Sequence, residues 1–142
     1  MKTILPQMRL LENSDFKKES KLYTEGGIAK MIAKYLPEPD TIYTLVNSST
    51  AIQLPYVFEN EEDNLLVAKY GTRHYKSQAN GLKVLIFRDS FCSALVPYLS
   101  ESFGETFFFW TYEMDWSIIN KIKPDLVVFQ FVERHSEALL GL

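Results

Sequence analysis

From Leu82 onward the chain alternates short apolar runs with segments whose apolar residues recur every three or four positions. Val84-Leu85-Ile86-Phe87 has no polar position, as expected of a strand covered on both faces of a parallel sheet. Ser93 to Phe103 puts Leu95, Tyr98, Leu99 and Phe103 on one helical stripe, with Pro97 near the first turn, where a missing N–H is tolerated. Gly104 suits the position after that helix. Thr106 to Trp110 predicts a second buried strand. Asp115 is placed to cap a helix bearing Ile118, Ile119 and Ile122, which Lys123-Pro124-Asp125 ends. Leu126 to Phe131 predicts a third strand, and Ser136 to Leu140 opens a closing helix. Strands and helices alternating at these lengths predict right-handed βαβ units on a parallel sheet, an α/β fold.

The pattern is weaker before Leu82. Residues 1–25 are polar, with a Lys/Glu cluster from Asp15 to Lys21, and read as an irregular lead-in. Gly26-Gly27 opens a short helix, Ile28 to Leu36, which Pro37 and Pro39 stop. Thr41 to Val46 alternates and predicts a strand. Ile52 to Phe58 is expected to be extended, with Pro55 confining it to an edge. Glu59 to Asp63 reads as a solvated acidic loop, Leu65 to Tyr70 as another edge strand, and Gly71 to Gly81 as a polar connection. No repeat or low-complexity tract interrupts the chain.

Composition narrows the function classes. The 142 residues suit one domain. With 46% hydrophobic and 23% charged residues, they are able to bury a core. A net charge of -3 and the absence of a Lys/Arg run interleaved with aromatics give no basis for nucleic-acid binding. Cys92 is the only cysteine, which excludes an internal disulfide and a multi-cysteine zinc site. Two histidines and scattered carboxylates show no metal-ligand spacing, and no cofactor is indicated. No apolar run reaches the ~18–20 residues of a membrane span, and Met1 to Gln7 has no apolar core of a secretory signal.

Arg88-Asp89-Ser90-Phe91 falls between a buried strand and a helix, at the carboxyl edge where open parallel sheets bind ligands. A serine there projects its hydroxyl at the sheet edge. The amides of Phe91 and Cys92 at the helix entry would stabilise an oxyanion, an arrangement suited to acyl transfer. The plain alternative is a Ser or Asp N-cap without chemistry, which spacing alone favours because caps occur at every such junction. A phosphate pocket is a third reading, weakened by the lack of a glycine-rich loop.

Lys83 to Phe91, then Leu95-Val-Pro-Tyr-Leu99, Phe103, and Lys123-Pro-Asp to Val-Glu-Arg134 form an ordered set of blocks. This set resembles the Asp-Ser-Phe half of the alginate O-acetyltransferase-type, SGNH-hydrolase-like family. The resemblance covers residues 82–140 well. Before that it is faint, at Gly27-Ile-Ala-Lys-Met-Ile32 and Tyr56-Val-Phe-Glu-Asn60. It implies a three-layer α/β/α sandwich, of which this chain would be a partial domain. It also implies acetyl transfer to hydroxyls of a cell-envelope polysaccharide, with Ser90 as nucleophile and a bacterial envelope location. A polysaccharide or an acetyl-donor protein would be the partner.

A serine needs a base to attack at neutral pH. In the resembled family an upstream Asp-x-His supplies it, and the chain has no such motif, nor the downstream Asp-x-x-His of broader SGNH esterases. Of the two histidines, His74 lies on an expected loop and His135 follows Glu133-Arg134 at the end of the third strand. Three explanations stand: a segment carrying the Asp-x-His is missing from this sequence, the chain is an inactive binding module, or His74 or His135 has been recruited. The first is favoured, and a core lacking its partner segment would leave an apolar patch and promote weak self-association. Asp89 would orient the turn or accept a backbone hydrogen bond, or would simply be a carboxylate favoured by the dipole at the helix start. Arg88 would meet a carboxylated sugar or pair with Glu113 or Asp115, Trp110 would stack on a sugar with Tyr112 and Trp116 or simply pack, and Glu133-Arg134 would form a structural pair or touch ligand. Cys92 reads as a small buried residue.

Overall fold

The computed structural model describes residues 15–23, 38–46, 50–55, 57–79 and 81–133. The expected helices Ile28 to Leu36 and Ser136 to Leu140 lie outside these residues, as do Arg134 and His135. Two compact units divide the chain, one of residues 11–48 and one of residues 1–10 with 49–142.

The smaller unit holds an antiparallel pair, β1 (Phe16–Tyr23) and β2 (Glu38–Leu45), in register from Phe16 opposite Leu45 to Tyr23 opposite Glu38. The strand predicted at Thr41 to Val46 is β2, lengthened at its start. The lead-in expected over residues 1–25 is corrected, since it contains β1. Phe-Lys-Lys-Glu-Ser-Lys-Leu-Tyr has no two-residue apolar period, so its extended form is set by the β-prone partner across the ladder rather than by its own pattern.

The larger unit is built on a five-stranded sheet ordered β3-β4-β6-β5-β7. Its strands are β3 (Ile52–Leu54), β4 (Arg73–Lys76), β5 (Lys83–Arg88), β6 (Glu105–Trp110) and β7 (Leu126–Gln130). β5 lies parallel to both β6 and β7, as the apolar runs predict. β4 and β3 extend the sheet antiparallel. The fold is α/β as expected, and the parallel sheet is corrected to a mixed one.

Helices cover both faces. Val67 of α1 (Glu61–Ala68) and Ile118 and Ile122 of α3 (Trp116–Ile122) pack against Leu85, Phe87, Phe107 and Phe109. On the opposite face, the 3-10 turn Ser90–Ala94 and α2 (Val96–Ser102) contribute Cys92 and Val96 against Val84, Ile86 and Phe108. β5, flanked by β6 and β7, has four consecutive apolar residues, Val84 to Phe87, at 1% exposure or less, which is why its run lacks a polar position. As expected, Asp115 caps α3, its Oδ1 accepting from the Ser117 amide at 2.9 Å.

Three expectations in the middle of the chain fail. The acidic loop and following edge strand are one helix, α1, and the polar connection contains β4. Asn60 starts α1 by accepting from the Asp63 amide at 2.7 Å. The acidic side chains of Glu61, Glu62 and Asp63 then fall in the first turn, where the helix dipole favours negative charge. Asn64 fastens the preceding segment, accepting from the amides of Val57 and Phe58 at 3.0 Å each. Removing the cap as Asn60→Ala is expected to cost about 1 kcal/mol, read as a lower urea midpoint at unchanged slope. Gly71, at φ +52°, closes the turn from α1 into β4 in the left-handed region that suits glycine.

Candidate active site at the carboxyl end of β5

β5 and β6 run side by side, but the chain leaves them toward opposite faces. After β5 it enters the Ser90–Ala94 turn and α2; after β6 it enters α3 on the other side. Divergence of this kind opens a crevice at the carboxyl ends of strands. Ser90 stands there, exposed at the start of the turn.

The residue before it is buried and fully engaged. Asp89 is 1% exposed; its Oδ1 accepts from the Phe91 amide at 2.9 Å and its Oδ2 from the Val132 amide at 2.7 Å. Its own amide donates to the Gln130 carbonyl at 3.2 Å. Asp89 thus caps the turn and ties the end of β5 to the end of β7. Sequence spacing indicates the cap. The Val132 bond joins residues far apart in sequence and leaves no local signal.

The expected oxyanion donors need correction. The Phe91 amide is occupied by the Asp89 carboxylate, and the element that begins here is a five-residue 3-10 turn. So short a turn aligns few peptide dipoles, and its positive end is correspondingly weak.

Arg88 is also 1% exposed. Its Nη1 donates to the Asp89 carbonyl at 3.2 Å and to Ser93 Oγ at 2.9 Å, and its guanidinium lies 4.7 Å from the Trp110 ring centroid. Among the described residues it forms no ion pair, so the expected pairing with Glu113 or Asp115 is replaced by these contacts. Burial holds its pKa below the ordinary arginine value, with nearby Arg73 acting in the same direction. Arg88, Trp110 and Gln130 share one row across three strands. Arg88 Nε and Gln130 Oε1 are buried without partners among the described residues. Ser93 was not singled out from the sequence, because a hydroxyl at the third place after Ser90 carries no pattern of its own.

Trp110 remains 46% exposed above Arg88. The three aromatics grouped by sequence do not form one platform in the register. Tyr112 packs on Phe131 at 5.4 Å between centroids, whereas Trp116 opens α3 and is 65% exposed. Phe91 and Leu95 are exposed around the turn.

His74 is brought elsewhere. Instead of a loop it occupies β4, 5% exposed, stacked on Phe107 at 4.2 Å, with Nε2 2.9 Å from Glu105 Oε1. Its row is that of Phe107 and Leu85, three residues or about 10 Å short of the Arg88–Trp110 row. Glu105 opens β6 at the opposite end of the sheet.

Cys92 is wholly buried, and burial pushes its thiol pKa up. It is expected to resist iodoacetamide at pH 8 in the folded chain and to react only under denaturing conditions, as read by intact mass. A cavity of about 390 Å³ lined by Val57, Leu65, Val67 and Thr72 contains none of the Ser90 turn. Among the described residues no group of three or more His, Cys, Asp or Glu could hold a metal ion, and no helix is long and apolar enough to cross a membrane.

Comparison with known proteins supports the fold. Bacillus cereus PatB1, solved with a sulfonyl adduct, matches with a TM-score of 0.58 at 16% identity, over 90% of this chain and 49% of that one. A second PatB1 structure matches at 0.56 and 15% identity, over 90% and 52%. A DHHW family protein from Eubacterium siraeum DSM 15702 matches at 0.61 and 19% identity, over 96% of this chain and 56% of the other. This chain spans about half the length of these neighbours. No family profile matches it, and no curated protein matches by sequence. The protein is an α/β chain with a fold related to PatB1 and to the DHHW family protein.

Proposed function

We propose that this chain is the nucleophile-bearing part of a serine-dependent O-acyltransferase of the SGNH-like type. The observation that carries the reading is Ser90 itself, exposed at the carboxyl end of β5 on a turn that Asp89 caps and ties to the end of β7. Ser90 Oγ attacks the carbonyl carbon of an acyl donor, and its proton passes to a base. The donor's leaving group departs with a proton, leaving an acyl ester on Ser90. An acceptor hydroxyl then takes the acyl group, and Ser90 regains its proton. The resemblance to alginate O-acetyltransferases supports acetyl as the group, a hydroxyl of a bacterial cell-envelope polysaccharide as acceptor, and an acetyl-donor protein as partner. Trp110, with one ring face against Arg88, offers its exposed side to a sugar.

His74 is held at Glu105, which favours a base from elsewhere. His135 is this chain's own candidate, three residues after the Val132 whose amide Asp89 holds. Arg134 beside it would meet the acceptor. A base from a segment outside these 142 residues is the other source, in keeping with neighbours about twice as long. A non-catalytic glycan-binding module is the second reading, favoured by the occupied Phe91 amide.

Phenylmethanesulfonyl fluoride separates these readings, and a structural neighbour solved as a sulfonyl adduct makes it a natural probe. The expected result is one adduct per chain, mapped by peptide mass to Ser90. Labelling slowed in His135→Ala assigns the base to His135, and unchanged labelling assigns it outside the chain. No adduct at Ser90, with glycan binding intact, would leave the binding module.

A further inference from the structure

We infer that Arg88 is the positioning residue of the Ser90 turn, a role that rests on Ser90 being the acyl-accepting nucleophile. One Nη1 group bonds both sides of the serine: the Asp89 carbonyl just before it and the Ser93 hydroxyl three residues after. Asp89 holds the turn to β7 from below through its carboxylate. Arg88 closes it from the side of α2. The guanidinium cannot swing away, because it is 1% exposed and lies against the Trp110 ring in the same row of the sheet. Holding a guanidinium out of water, with no carboxylate at ion-pair distance among the described residues, is costly. An apolar side chain of similar volume would pack there without that cost. The N–H donors that meet the Asp89 carbonyl and the Ser93 hydroxyl are what such a side chain could not supply. Lysine is a poor substitute, since a compact ammonium neither lies flat on an indole nor keeps the fork's geometry.

The distinction from substrate binding is geometric: a side chain at 1% exposure does not present its charge to a ligand. Arg88 acts on the reaction through the position of Ser90 and of the backbone that follows it. Trp110, on the open side, both touches solvent and fixes the fork.

The test uses the full chain with Ser93→Ala, Ser93→Thr and Arg88→Lys, followed by hydrogen exchange at Phe91 to Leu95 and by phenylmethanesulfonyl fluoride labelling of Ser90. Ser93→Ala deletes only the far acceptor, on an exposed residue, and is expected to leave the melting temperature nearly unchanged. Exchange in the turn is expected to speed up, and the saturating labelling rate to fall, each by about tenfold, with half-saturation unchanged. Ser93→Thr restores the hydroxyl and is expected to recover both. Arg88→Lys is expected to match or exceed the alanine effect, and where it fails to fold, the Ser93 pair decides. Exchange and labelling equal to wild type in Ser93→Ala overturn the inference while leaving Ser90 as nucleophile. Faster exchange in a chain whose Ser90 never labels keeps the clamp and removes the acyl-transfer reading instead.

Discussion

Ser90→Ala is expected to abolish acetyl release from 4-nitrophenyl acetate, by about a thousandfold or more, down to the uncatalysed rate. The loss should be confined to chemistry. The Ser90 hydroxyl makes no hydrogen bond among the described residues, and its side chain stands in solvent. Alanine there removes no packing and unpairs no buried group, so the change in stability should stay within about 0.5 kcal/mol. Asp89 still caps the turn through the Phe91 amide, and Arg88 still reaches Ser93. The variant therefore isolates the proposed nucleophile from the scaffold. An alanine variant that releases acetyl as fast as wild type, at equal melting temperature, removes Ser90 from the reaction.

Asp89→Ala carries the largest expected cost in stability, about 2–4 kcal/mol. Both carboxylate oxygens accept backbone amides, at 2.9 Å from Phe91 and 2.7 Å from Val132, and the residue is 1% exposed. Bonds to a charged acceptor are the stronger kind, and truncation leaves amides without partners beside a new void. Part of this loss is offset because a carboxylate no longer has to be buried, so the estimate sits below the sum of two full bonds. Asp89→Asn keeps one acceptor and turns its NH2 toward the other amide, donor against donor, for about 2 kcal/mol. Urea denaturation reads these as lower midpoints at unchanged slope. Labelling of Ser90 should fall in both variants well below their melting temperatures, because the turn loses its hold on β7 before the sheet melts. A midpoint equal to wild type in Asp89→Ala would show that the two bonds do not hold the elbow.

The legible part of the fold follows from how strands are buried. β5, β6 and β7 lie where both faces meet helices, so nearly every position must be apolar, and the chain shows it. α3 was legible for local reasons, with Asp115 as its cap, its isoleucines at helical spacing and a stop at Lys123-Pro124. α1 was not, because Leu65-Leu66-Val67 is too short to separate helix from strand. Leu65 is 67% exposed while Val67 is 3% exposed. β4 was hidden because Arg-His-Tyr-Lys is polar; it is a strand because β3 and β6 pair with it on either side, and stacking on Phe107 buries His74.

Sequence alone determined the strand, the Asp89-Ser90 junction and the α/β class, since these depend on contiguous pattern and local capping. Tertiary structure decided what the junction contains. It placed the Val132 amide on Asp89, took the Phe91 amide out of play, buried Arg88 under Trp110 and carried His74 to Glu105. Each of these depends on strand register or on backbone atoms far apart in the chain. Backbone amides carry no residue identity, and register is chosen by the whole sheet rather than by any one strand.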